Sequence, residues 1–200
     1  MNVFDYSDEQ LQEFVTNTCR KLTNAVDSAE AVALIKEALQ HYTIFDLQYI
    51  GGVARREVEK LPEPYRGRYR PYSNDLLNRY HEFIELCRFK KTNQLRVRDR
   101  KLWDDYWFNA DEMLFQEANS DNDPLRSLGH PAGKFFYRLV YGYTMLLADE
   151  PGHPVGMPFP GGWTVKEKGG KILCPIREKE KDLPQALCNY CPAIQDENCL

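Results

Sequence analysis

The chain has no long hydrophobic run. Its apolar stretches are a few residues long, far short of the roughly 20 needed to cross a bilayer as a helix, so no membrane-spanning helix is expected. The opening residues, MNVFDYSDEQ, are acidic, with no basic end ahead of an apolar core, so they do not form a signal peptide. A soluble cytoplasmic protein is the expectation. Catalytic signatures are also missing. There is no G-x-S-x-G, no P-loop, no G-x-G-x-x-G and no H-E-x-x-H. One E-x-x-H occurs, Glu150 to His153, but in a Pro/Gly-rich stretch where no helix can aim both side chains inward. The carboxylate-bridged di-iron pattern is therefore not met. Asp104, Asp105, Asp111, Glu112 and Glu117, and the one-turn pair His81 and Glu85, read as solvated helix faces.

Cysteine is sparse until the end. Cys19 and Cys87 sit at helical core spacing and read as small buried apolar residues. The other four, Cys174, Cys188, Cys191 and Cys199, fall within CPIREKEKDLPQALCNYCPAIQDENCL. Two precede proline and two form a C-x-x-C pair. In a reducing compartment, clustered thiols point to metal rather than disulfides. The spacing C-x13-C-x2-C-x7-C lacks the two knuckles of a zinc ribbon, and the Cys-Pro steps lean toward a [4Fe–4S] cluster. Zinc held by four thiolates, or by three and an imidazole, fits the residue types as well.

Charge is unevenly placed. The chain carries a net −4, yet residues 55–101 hold 14 Lys/Arg against 7 Asp/Glu. Arg66, Arg68, Arg70, Arg96 and Arg98, with Tyr65, Tyr69 and Tyr72 interleaved, are the candidate contacts for an anion or a nucleic acid. An overall pI near 5.6 argues for a solvated basic face instead.

Helical periodicity dominates residues 1–149. Ser7 to Gln10 has capping-box spacing ahead of Leu11, Phe14, Val15, Thr18 and Leu22. Asp27 and Thr43 start a second and a third helix. Gly51-Gly52 inside the third suits a close helix crossing or a kink. A fourth helix is expected over 73–90 and a fifth over 100–119. The last, over 131–148, is apolar on several sides and should be the central one. Beyond Asp149, PGHPVGMPFPGG is too rich in proline and glycine for regular structure. WTVKE and KILCP flank a Lys-Gly-Gly turn and read as a β-hairpin, which needs packing or metal to persist. The fold class is thus mainly α: about six helices over 1–149, with a hairpin and Cys-rich tail over 150–200 packed on them as one unit. The pattern G-H-P-x-G occurs at 129–133 and again at 152–156. A helix between them holds His130 and His153 roughly 25 Å apart.

Three further segments carry a resemblance: His153-Pro154-x-Gly156-x-Pro158-Phe159-Pro160-Gly161-Gly162, then Cys174-Pro175-Ile176-Arg177, then Cys188-x-x-Cys191. Together with LPEPYRGRY (61–69), they resemble an uncharacterised archaeal family found chiefly in methanogens. The resemblance implies a soluble archaeal protein with Cys174, Cys188 and Cys191 as its thiols. Cys199 falls outside the pattern and His153 within it, so the two compete as fourth ligand. The resemblance carries no activity with it. The expected function is a metal-binding accessory or interaction protein. An iron–sulfur enzyme or electron carrier is the alternative, and nucleic-acid binding through 65–101 the third reading.

Overall fold

The computed structural model describes residues 2–108, 110, 114–115, 130–183 and 186–199. It is mainly helical, with a three-stranded sheet near the C-terminus. Helix α1 runs Asp8–Thr23, α2 Ser28–Leu39, α3 Ile44–Glu59, α4 Tyr65–Tyr69, α5 Asp75–Arg88, α6 Arg100–Trp107 and α7 Pro131–Gly142.

The helix starts follow local cap chemistry. The Ser7 hydroxyl accepts from the Gln10 amide while the Gln10 side chain accepts from the Ser7 N–H, so two orphan amides are satisfied reciprocally. Thr43 and Asp46 repeat the arrangement at α3, and Asp27 caps α2 by accepting from Glu30. Gly51 allows the close crossing: a Cβ there would lie 2.8 Å from Leu77 Cδ1 of α5.

Helix α7 is the central element. From Ala132 to Gly142 only Tyr137 is not buried. Tyr42 donates to the Ala132 carbonyl at 2.8 Å, and the Tyr106 hydroxyl to the Arg138 carbonyl at 2.7 Å. The helix then widens into one π-helical turn, Tyr143–Leu147. The chain leaves it through Asp149, whose φ is +60°.

Three elements differ from the sequence expectation. The fifth predicted helix is interrupted after Trp107, because Phe108 turns to an extended conformation with ψ 128°, and Ala110, Leu114 and Phe115 beyond it are helical again. Asp111, Glu112 and Glu117 of that prediction lie outside the described residues. The stretch after Pro64 forms the short helix α4 instead of only a turn. The Pro/Gly segment 152–163 also carries a small antiparallel ladder. The Gly156 amide donates to Val165 O, Val165 to Met157 O and Phe159 to Trp163 O, at 2.8, 3.1 and 2.8 Å. Gly161 and Gly162, at φ +85° and +83°, make its turn.

The hairpin forms from β1 (Lys166–Lys168) and β2 (Lys171–Cys174) around Gly169-Gly170. A third strand, β3 (Ile194–Gln195), joins β2 in parallel and pairs Cys174 with Gln195. Asp196 secures the join. Its amide donates to the Cys174 carbonyl at 2.9 Å, and its carboxylate accepts from the side chains of Asn198 and Lys166 at 2.8 and 3.2 Å. The tail is therefore held against the hairpin by protein contacts.

Candidate functional site

Several segments line a cavity of about 280 Å³. The wall from α7 and the π-helical turn after it is Tyr137, Tyr141 and Met145, spaced so as to face one side. The loop after α7 adds Gly152 and His153, the end of β2 adds Cys174, and the tail adds Cys188 and Cys191. Three thiols and an imidazole thus share one lining, although they come from positions up to 38 residues apart in sequence.

The thiols are prepared unequally. Cys174 accepts hydrogen bonds from the backbone amides of Ile176 and Arg177, which favour its thiolate, but burial outweighs them and raises its pKa. Burial pushes the Cys188 thiol up to about 12, with a further rise from the neighbouring Cys174 and Cys191. The Cys191 sulfur accepts the Gly152 amide at 3.3 Å, which ties the tail to the loop that carries His153. Arg177 Nη2 donates to the Cys191 carbonyl at 3.2 Å and fixes the chain around the C-x-x-C pair.

His153 is held by packing. Its ring meets Phe159 edge-on, with centroids 5.2 Å apart. Burial lowers its pKa to about 4, so at neutral pH it is an uncharged imidazole with a free lone pair. Its ring makes no hydrogen bond among the described residues. Among those residues, no group of three or more His, Cys, Asp or Glu is gathered tightly enough to hold a single metal ion.

Cys199 lies outside this lining. It is buried beside Asp196, and burial raises its pKa. His130 caps α7, its Nδ1 accepting from the Ala132 amide at 3.2 Å. Cys19 is buried, and Cys87 is half-buried against the core.

Four of the five candidate arginines are engaged within the chain. Arg66 pairs with Glu63 and Arg70 with Glu59, each at 2.9 Å. Arg98 meets Asp149, and Arg96 donates to the Leu95 carbonyl. Asp104 and Asp105 pair with Arg100 and Lys101 one turn earlier. His81 and Glu85 are both exposed.

A residue outside the expected set organises the region. Arg79 is 7 % exposed. It pairs with Asp75 at 2.8 Å, donates to the Pro151 carbonyl at 3.1 Å and lies over the Tyr141 ring at 5.7 Å. It anchors the His153 loop to α5. Its one sequence signal is Asp75 four residues earlier, which the abundance of arginine nearby obscures.

On the far side of His153 lies a second cavity of about 410 Å³. It joins the two motifs of the resemblance. Tyr65 donates to the Pro158 carbonyl at 3.0 Å, and Tyr72 lies against Gly156, where a Cβ would fall 2.6 Å from its hydroxyl oxygen.

Residues 27–196 match the pattern of the family described as "Uncharacterized protein conserved in archaea (DUF2115)". Similar proteins occur in methanogens. A UPF0305 protein of Methanothermobacter thermautotrophicus is 41 % identical over 61 residues, 30 % of this chain and 37 % of its own length. One from Methanopyrus kandleri is 43 % identical over 58 residues, 29 % of this chain and 41 % of its own. A third, from Methanocaldococcus jannaschii, is 22 % identical across 78 % of this chain and 89 % of its own. The aligned stretches thus span less than half of the first two relatives. No solved structure matches the chain.

Proposed function

We propose that this chain, a member of the archaeal DUF2115 family, is an iron–sulfur accessory protein. Its cluster would be held by Cys174, Cys188 and Cys191, with His153 as the fourth ligand. One observation carries the reading: three thiols and an imidazole that makes no hydrogen bond among the described residues line one cavity. Four ligands on one zinc must bring their sulfurs within about 4 Å of each other. A cluster spreads its ligands around several irons, so it tolerates a wider ring, and imidazole is an accepted ligand to such clusters. The mostly apolar wall and the amide donors to the Cys174 and Cys191 sulfurs suit thiolates that must stay charged away from water. When bound, the cluster would supply one-electron chemistry. The chain's own residues position the thiols and join the tail to α7.

The residue types also support a second reading: a single zinc with three sulfurs and one nitrogen, reached by the tail closing inward. Anaerobic reconstitution with iron and sulfide distinguishes the two. The expected product is brown, with about four irons and four sulfides per chain. Replacing Cys174, Cys188 or Cys191 by Ala should abolish the colour, whereas Cys199→Ala should keep it. A colourless chain holding one zinc would sink the cluster. A chain that takes up neither, with Cys188→Ala indistinguishable from the parent, would sink metal binding altogether.

A further inference from the structure

We propose that the second cavity binds an organic cation bearing an alkylated ammonium group. This rests on the cavity's own lining and is independent of any metal next door. Five tyrosines, Tyr65, Tyr69, Tyr72, Tyr137 and Tyr141, line about 410 Å³. Glu57 and Asp75 also line it, paired with Lys60 at 2.6 Å and with Arg79 at 2.8 Å. An aromatic face presents negative charge, so a space walled by five rings attracts a cation. An alkylated ammonium suits it best: it is large, weakly hydrated and unable to satisfy a hydrogen-bonding site, so ring faces are its natural partners.

The rings are also set in place beforehand. Neighbouring walls are inclined: Tyr65 and Tyr69 by 51° at 5.7 Å, Tyr69 and Tyr72 by 62° at 6.4 Å, and Tyr137 and Tyr141 by 44° at 4.4 Å. Inclined walls surround a ligand, whereas parallel ones would stack on each other. Two of the hydroxyls are tied to neighbouring groups. Tyr65 donates to Pro158 O, and Tyr141 to an Asp75 carboxylate oxygen at 3.3 Å. Rings fixed by their outer ends lose little freedom on binding. Arg79 lies over Tyr141 at 5.7 Å, which leaves Tyr65, Tyr69, Tyr72 and Tyr137 as the rings without a cation over them among the described residues. The tyrosines interleaved with arginine in the sequence thus line the cavity, while Arg66 and Arg70 pair with Glu63 and Glu59, which do not line it.

Choline and its uncharged isostere dimethylbutanol, in which a quaternary carbon replaces the nitrogen, provide the test. Each is titrated into the full chain carrying 13C-labelled tyrosine rings and followed by NMR. Choline should bind saturably and shift the tyrosine signals, and the isostere should bind at least about tenfold more weakly. Tyr69→Leu should weaken choline by about tenfold and Tyr69→Phe by little, because the ring face and not the hydroxyl makes the contact. Glu57→Gln, at a half-buried carboxylate paired with Lys60, should weaken choline severalfold in a variant that remains folded. Equal affinity for the two probes, no saturable binding of choline up to tens of millimolar, or no effect of Tyr69→Leu in a folded variant would each overturn the proposal.

Discussion

Two glycines show how the surroundings decide the sign of one change. At Gly142, in the central helix, a Cβ would fall 2.6 Å from Trp107 Cζ2 and 3.1 Å from Tyr106 Cε1. Both rings are buried and closely packed, so neither can withdraw. Replacing a helical glycine by alanine is worth about 1 kcal/mol in propensity, but forcing a methyl into a filled core costs about 1–3. Gly142→Ala should therefore destabilise, read as a lower midpoint in urea. At Gly51 the obstacle is the far end of Leu77, a half-buried side chain that can rotate. There the propensity gain offsets the crowding, and Gly51→Ala should leave the midpoint close to that of the parent. Gly156 is different again. Its φ of +87° strains any side chain, and the Tyr72 hydroxyl oxygen occupies the Cβ position. Gly156→Ala should displace Tyr72 and disturb the tyrosine cavity before it disturbs the helices, which the ring NMR signals would show.

At the scale of elements, what could be read from the sequence depended on how local the cause was. The starts of α1, α2 and α3 rest on side chains within three residues of the amide they satisfy, so Ser7, Asp27 and Thr43 announce them. Helix α7 announces itself by burial around nearly its whole circumference. Strand β3 could not be seen. It is two residues long, and its partner β2 lies about twenty positions earlier, so no alternation exists to detect. The break at Phe108 in the fifth helix was equally hidden, because nothing in YWF forbids another turn. The Asp196 clasp makes β3 testable. Hydrogen bonds from the Asn198 side chain and amide, then from Lys166, hold its carboxyl down at about 2. A carboxylate whose folded pKa is depressed gives stability that is present above its unfolded value and lost as pH falls through the folded one. The tail's attachment should thus persist through mild acid and loosen as the pH approaches 2. Asp196→Asn should loosen it at neutral pH, read as faster amide exchange in residues 194–199 with the helices unchanged.

Over the whole molecule, the sequence singled out three thiols and left their fourth partner open between His153 and Cys199. Spacing could not show which of the two shares a lining with the thiols, because that depends on where a loop folds back. The Gly152 amide reaches the Cys191 sulfur and Arg79 grips Pro151, and these two contacts set His153 beside the thiols and leave Cys199 with Asp196. The tyrosine cavity was half visible. Tyr65 and Tyr69, like Tyr137 and Tyr141, stand one helical turn apart and so share a face, but only the fold sets the two pairs around one space. If Arg79 is the brace for this region, Arg79→Met should lower stability by about 3 kcal/mol or more, since Asp75 would be left partly buried without its cation. Chemical denaturation checks this, and restoring the parent midpoint by adding Asp75→Asn would show that the unpaired charge is the cause.

Tyr137, Tyr141 and His153 line both cavities, so one thin partition has two sides. If a ligand on one side stiffens or tilts these residues, the other side responds, and such an effect is reciprocal. A factor by which a filled sulfur-lined cavity changes choline affinity must equal the factor by which choline changes affinity in the sulfur-lined cavity. Two independent titrations can test that equality. The partition would then make the chain a device that reports the state of one compartment to the other.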